Sequence, residues 1–444
     1  MKKIALKKGH DIKILGIPSR ELTTVNNSKK VGIMPDSFRD VKPKLLISEG
    51  DVVKIGTPLF FDKTKPAIKW ASPANGTVSK IQLGARRVLE KIEIKIEGQD
   101  KIKQEPFDER KQGSKTRSEI LNYILDANLF HLIRQRPFNK IANPEENPRD
   151  IFISGINTAP LSVDLENVIA QNKETFQKGL SVLSKLTDGK IYFVSNQNFN
   201  FEDAENVEIS GPHPAGNVGV QIHHIKPIKP KDLIWTINAQ HVITFGKLFE
   251  TGSYDPKIRV TVGGPGASIA YTTEVITGTS IETLLENQII GESPVRLVSG
   301  DVLTGEEVSL SSYLGFYDSS LTVISDSVER PFLGMLSIGS SSTKYSLTKA
   351  FLNLKNTLFK FSTAQNGELR PMVPINAWER VLPMDIFPNQ LYRAILAKDI
   401  EEMEQLGIWE CDEEDFALCS FSCPSKIDVG RVIRDGLDLL EAEG

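Results

Sequence analysis

The side chains in this 444-residue chain best suited to chemistry are histidines. Half of the six lie in Gly211-Pro212-His213-Pro214-Ala215-Gly216-Asn217-Val218-Gly219-Val220-Gln221-Ile222-His223-His224. Imidazole ligates metals and exchanges protons near neutrality, so three within 12 residues raise both possibilities. Against a metal, no H-x-x-x-H pair occurs and no cysteine lies nearby; on a strand His223 and His224 would point to opposite faces. Two prolines and three glycines suit a rigid loop pressed on a neighbouring domain or subunit.

The three cysteines, Cys411, Cys419 and Cys423, all fall near the carboxyl end. Cys419-Ser420-Phe421-Ser422-Cys423-Pro424 is similar to the end of a ferredoxin-type cluster motif, but three thiols cannot complete a four-thiolate set. Buried, inert thiols in a reducing compartment are expected instead. No Ser-His-Asp arrangement, nucleophile elbow or H-E-x-x-H is present, so neither a catalytic residue nor a metal ligand is expected.

The elements that must position these residues change character along the chain. Lys91 to Glu97 alternates strictly, as a half-buried strand does. Glu49-Gly50-Asp51 and Ser72-Pro73-Ala74-Asn75-Gly76 carry turn dipeptides that tolerate positive φ. This pair of signatures resembles the biotinyl/lipoyl barrel-sandwich fold, whose carrier members modify a lysine at the hairpin tip. Lys63, Lys65 and Lys69 occupy that gap here, without a Met-Lys-Met.

A charged segment around 101–118 reads as a linker. Beyond it, Ile151-Phe152-Ile153, Lys190 to Val194, Asn206 to Ile209 and His241 to Phe245 read as buried strands. Val163, Val168, Phe176, Leu180, Leu183 and Leu186 recur at helical spacing between the first two, giving a Rossmann-like α/β layer. Its first strand-to-helix turn, Ser154-Gly155-Ile156-Asn157-Thr158-Ala159-Pro160, has one glycine and no dinucleotide fingerprint.

Ile258 to Val262, a Gly263-Gly264-Pro265-Gly266 hairpin turn, a short helix capped by Ser280, and Pro294 to Val298 suggest a β-grasp-like unit. Helical pattern then dominates, and the acid run from Glu401 to Asp415 reads as a solvated face. The expectation is a multi-domain α+β and α/β protein: residues 1–100, an N-terminal segment plus barrel-sandwich domain; 101–255, Rossmann-like; 256–330, β-grasp-like; and 331–444, a C-terminal helical domain.

Composition excludes several classes. With 53 Lys+Arg against 57 Asp+Glu, the net charge of −4 implies no attraction to nucleic acid. Lys7, Lys8, His10, Asp11 and Lys13 interrupt any secretory signal, and no run of about 18 apolar residues could span a bilayer. Any membrane role would be peripheral.

One family matches these pieces together. Lys7-Lys8-Gly9-His10-Asp11-Ile12-Lys13-Ile14, the two turn signatures, Gly211-Pro212-His213-Pro214-Ala215-Gly216 leading to Ile222-His223, and Leu406-Gly407, Glu413-Glu414-Asp415, Cys419 and Cys423-Pro424 resemble the NqrA family of the bacterial sodium-translocating NADH:quinone reductase. The likeness runs from end to end. It implies a peripheral subunit on the cytoplasmic side of the bacterial inner membrane, in a six-subunit respiratory complex that oxidises NADH, reduces ubiquinone and exports Na+. Its partners would be the other five subunits, integral membrane ones among them.

The family is also similar to the cluster-bearing subunit of Rnf complexes and the flavin subunit of respiratory complex I. Against these, this chain lacks the glycine-rich flavin turn and the full cysteine set. No cofactor is therefore expected on it, with NADH, flavins, iron–sulfur and ubiquinone on or with other subunits. The favoured role is structural, supporting quinone reduction. The alternatives are direct ubiquinone binding near Pro212, His213, Gly216, His223 and His224, and a modified carrier at Lys63.

Overall fold

The computed structural model describes residues 2–98, 100–104, 116–286, 288, 294–326, 344–347 and 357–443. Most of the expected linker, and much of the expected helical stretch between 331 and 356, lie outside the described residues.

A seven-stranded sheet forms the centre. Its order is Lys2–Ala5, Glu205–Ser210, Ile191–Ser195, Asp150–Ser154, Ile234–Asn238, Ile133–Arg136 and Lys140–Ile141. The first five strands are parallel; Ile133–Arg136 runs antiparallel to Ile234–Asn238, and Lys140–Ile141 antiparallel to Ile133–Arg136. Ile151, Phe152 and Ile153 are fully buried because both faces of the sheet are covered. Ile151, Ile153 and Phe193 pack with helices Leu165–Gln171, Lys173–Leu183 and Ala239–Thr251, while Phe152, Tyr192 and Val194 pack with helix Val218–Ile225. The amino-terminal strand Lys2–Ala5 pairs in parallel with Glu205–Ser210, a long-range pairing that its charged sequence did not announce.

One expected strand is a helix. His241 to Phe245 lies inside Ala239–Thr251, started by the Asn238 side chain accepting the Gln240 N–H at 2.8 Å and ended by Gly252 at φ +69°. Gln240, Thr244, Lys247 and Thr251 recur at helical spacing over the whole helix, but the five residues from His241 to Phe245 are too short to show it, and a short run rich in β-branched residues has the same signature in either conformation. The strand is Ile234–Asn238, just before it.

Residues 30–96 fold as two small sheets, one ordered Lys30–Ile33, Leu89–Ile96, Gly76–Leu83, Val52–Val53, the other Pro43–Leu45, Pro58–Asp62, Lys69–Ala71. Gly50 takes φ +90° in its turn, where a side chain would be strained. A five-stranded sheet follows, ordered Tyr271–Ile276, Lys257–Gly263, Ser320–Ser325, Val295–Ser299, Glu306–Val308, with Lys257–Gly263 and Ser320–Ser325 parallel. Gly264, at φ +109°, lies in the connection between the antiparallel strands Lys257–Gly263 and Tyr271–Ile276, as the hairpin reading expected.

An aromatic cluster ties these units together. Trp70 stacks on Phe60 at 4.7 Å and on His131 at 5.2 Å, and His131 meets Phe316 at 5.1 Å, next to Tyr317. Helices Pro388–Ala397, Ile400–Gln405, Ala417–Ser422 and Val429–Glu443 close the fold around Leu391, Met403, Phe416 and Leu437.

The acid run is not one solvated face. Glu401, Glu402 and Glu404 are exposed, but Asp412 and Asp415 are buried. Arg136, 2% exposed, lies 3.1 Å from Asp412, 2.5 Å from Glu414 and 4.0 Å from Asp415, and Arg434 reaches Asp412 at 2.6 Å. Long-range pairing with Arg136, on a strand of the central sheet, drew these carboxylates inward. Among the described residues no helix is long and apolar enough to cross a membrane.

Candidate functional site

In the parallel sheet the chain winds from Asp150–Ser154 outward in one direction through Ile191–Ser195 and Glu205–Ser210, then returns to place Ile234–Asn238 on the other side. Loops leaving the carboxyl ends of Asp150–Ser154 and Ile234–Asn238 therefore part in opposite directions and open a crevice, the usual ligand position in such sheets. A cavity of about 290 Å³ lies there. His213, Gly216, Asn157, Asn238, Arg134 and Tyr317 are on its wall.

The Gly-Pro-His-Pro-Ala-Gly loop is held in place by its backbone. The His213 N–H donates to Asp11 at 2.9 Å, and its carbonyl accepts from the His10 N–H at 2.8 Å. The ring is 3% exposed, and burial pulls its pKa down to about 4, against the opposing charges of Asp301 and Asp11. Thr158 Oγ1 lies 3.1 Å from Nδ1 and accepts the Gly216 N–H at 2.9 Å. Oγ1 keeps a second lone pair and its own proton, so this contact is compatible with a proton on either ring nitrogen. Nε2 has no partner among the described residues. Gly216 is required here, since a Cβ would lie 2.6 Å from the Thr158 nitrogen.

The turn after Asp150–Ser154 is unlike a phosphate nest. The Gly155 N–H is spent on the Val194 carbonyl at 2.7 Å and the Ala159 N–H on Asn157 Oδ1 at 3.0 Å. Pro160 has no N–H, and Phe193 fills the space beside Gly155.

The sequence candidates divide. His213 and Gly216 line the crevice, whereas Pro212 packs near Gly9. His223 and His224 lie in the last turn of helix Val218–Ile225, not on a strand, and face the C-terminal region. His223 meets Glu410 through Nδ1 at 2.8 Å and accepts the Asp385 N–H at Nε2 at 2.9 Å; His224 Nε2 meets the Pro383 carbonyl at 2.6 Å. Burial lowers the His224 pKa. Arg134, His241, Tyr317 and Asp318 were missed. Asn157 and Asn238 could have been found as polar residues just after carboxyl strand ends, but nothing local marks Arg134 or Tyr317.

Comparison with known proteins settles the family. The NqrA N-terminal barrel-sandwich hybrid domain matches residues 4–97, the NqrA second alpha/beta domain 115–254, and the NQRA C-terminal domain 259–309. The A subunit of the Na(+)-translocating NADH-quinone reductase from Pasteurella multocida is 37% identical over 449 residues, covering 99% of this chain and 100% of the relative. The proteins of that name from Psychromonas ingrahamii and Vibrio alginolyticus are each 36% identical, with the same coverage. The chain belongs to the NqrA family of Na(+)-translocating NADH-quinone reductase subunits. In this family member all three cysteines are buried free thiols, and burial pushes the Cys411 and Cys419 thiols well up, which keeps them neutral.

Proposed function

We propose that this chain is a peripheral subunit of a sodium-translocating NADH:quinone reductase, on the cytoplasmic side of the bacterial inner membrane. It docks there with five further subunits, membrane-embedded ones included, and supports quinone reduction without a flavin, iron–sulfur or nucleotide cofactor of its own. The observation that carries this reading is the end-to-end similarity to NqrA proteins, at 37% identity over 99% of the chain. The cofactor-free part is supported by the turn after Asp150–Ser154, where the Gly155 and Ala159 N–H groups are spent internally and Phe193 fills the space beside Gly155, and by three thiols too few and too buried for a cluster.

The finer architecture follows the same reading. Numbering strands within each unit, the order 3-2-1-4 of the parallel strands between 150 and 238 supports a Rossmann-like layer, and 2-1-5-3-4 between 257 and 325 supports a β-grasp-like unit. We retain 1–100, 101–255, 256–330 and 331–444 as the working domain division. Direct quinone binding along 212–224 is less favoured, because His223 and His224 are engaged with the C-terminal region. The ultraviolet–visible spectrum of the purified chain tests the cofactor-free reading: a colourless protein is expected, and flavin or iron–sulfur bands would overturn it.

A further inference from the structure

We propose that the crevice at the carboxyl end of the parallel strands binds a compact oxyanion, the phosphate or carboxylate group of a small metabolite, on side-chain donors. This goes beyond membership of the reductase complex and needs no resident cofactor.

The donors in the cavity wall are left over once internal bonds are drawn. Asn157 Oδ1 accepts the Ala159 N–H and Asn238 Oδ1 accepts the Gln240 N–H, so each carboxamide keeps its NH2, and neither NH2 has an acceptor among the described residues. His213, buried in the same wall, keeps Nε2 without a partner among the described residues. Both asparagines are exposed, so their NH2 groups are open to an arriving acceptor, whereas the buried Nε2 of His213 is the unpaired atom that a partner would relieve.

Arg134 supplies the charge. Cross-strand pairing sets it opposite Thr236, on the face that Asn238 also shares. Its guanidinium lies over the Tyr317 ring at 4.8 Å, and Tyr317 is fixed by donating its hydroxyl to the His131 carbonyl at 2.9 Å. Among the described residues Arg134 has no carboxylate within 4.0 Å, and its one hydrogen bond is a 3.4 Å contact to the Asn139 carbonyl. The positive end of the 13-residue helix Ala239–Thr251 starts at Asn238 in the same wall.

The acids of the wall are already engaged. Asp301 accepts the Leu303 N–H and the Thr304 hydroxyl, both at 2.7 Å; Asp318 accepts the Ser299 hydroxyl at 2.6 Å; Glu414 holds Arg136. Arg136 is taken up by Glu414 and Asp412, and the free donors gathered around Arg134 recognise acceptor oxygens, most strongly those carrying negative charge. At about 290 Å³ the cavity suits a molecule below drug size.

Calorimetric titration of the full chain with inorganic phosphate, adenosine monophosphate, succinate and uncharged adenosine tests this. Asn238→Asp keeps the helix cap and Asn157→Asp keeps the Ala159 bond, but each replaces a donor by a like charge. Saturable binding of the anions but not of adenosine is expected, weakened at least tenfold by either variant, while unliganded melting stays unchanged or rises for Asn238→Asp. Phosphate-only binding assigns a phosphate source, and succinate-only binding a carboxylate source. No anion binding up to about 10 mM, or binding indifferent to both variants, overturns the proposal.

Discussion

Replacing Arg136 by methionine should uncouple the C-terminal helices from the central sheet. The guanidinium is 2% exposed and faces Asp412, Glu414 and Asp415, with Arg434 as the second cation of the cluster. Methionine keeps the apolar stem but takes one guanidinium from Asp412 and leaves Glu414 without its 2.5 Å partner. Asp412 is buried and keeps Arg434 and Asn139, while Glu414 is one third exposed, so the loss is expected at about 2–3 kcal/mol, toward the low end for breaking a buried pair, equivalent to a fall of roughly 5–10 °C in melting temperature. Asp415→Asn is the control: burial pushes that carboxyl well up, which favours its neutral form, so its amide isostere should cost under about 1 kcal/mol. Urea titration followed by tryptophan fluorescence reads both, since Trp378 lies in the affected core. A cost for Arg136→Met below about 1 kcal/mol, or one matched by Asp415→Asn, would refute the reasoning.

Other residues give separate expectations. Burial lowers the His241 pKa to about 4, so the unfolded chain takes up this proton near 6.5 and the folded chain does not. The stability it contributes is full above about 6.5 and is lost as pH falls toward 4; His241→Phe should therefore gain on the natural chain by up to about 1.4 kcal/mol per pH unit in that window, and a constant difference would contradict this. Gly216→Ala places a Cβ 2.6 Å from the Thr158 nitrogen and 2.9 Å from its Oγ1, so melting should show a loss of about 1–3 kcal/mol; an unchanged melt would mean the loop yields freely. The intact mass should equal that of the bare chain, whereas a lipoyl or biotinyl increment on Lys63 would restore the carrier alternative.

Much of the architecture was legible because local patterns carried it. Buried parallel strands announce themselves as apolar runs, and Gly50 and Gly264 mark turns through the φ they permit. His241 to Phe245 misled because five residues are too few to show the helical spacing of Gln240, Thr244, Lys247 and Thr251. Lys2–Ala5 joining the central sheet and Arg136 drawing in Asp412 and Asp415 depend on partners far away in sequence. The candidate site was half legible for the same reason. His213 and Gly216 lie in a motif, whereas Arg134 and Tyr317 reach the crevice from segments far apart in sequence, and His223 and His224, though in the motif, turn to the C-terminal region.

The most direct test of the proposed role removes this chain from the complex. Membranes of a strain lacking it should no longer reduce quinone with NADH but should still oxidise NADH with an artificial acceptor, and quinone reduction should return with the natural chain. Loss of both reactions, or quinone reduction that continues without the chain, would contradict a role in supporting the quinone step.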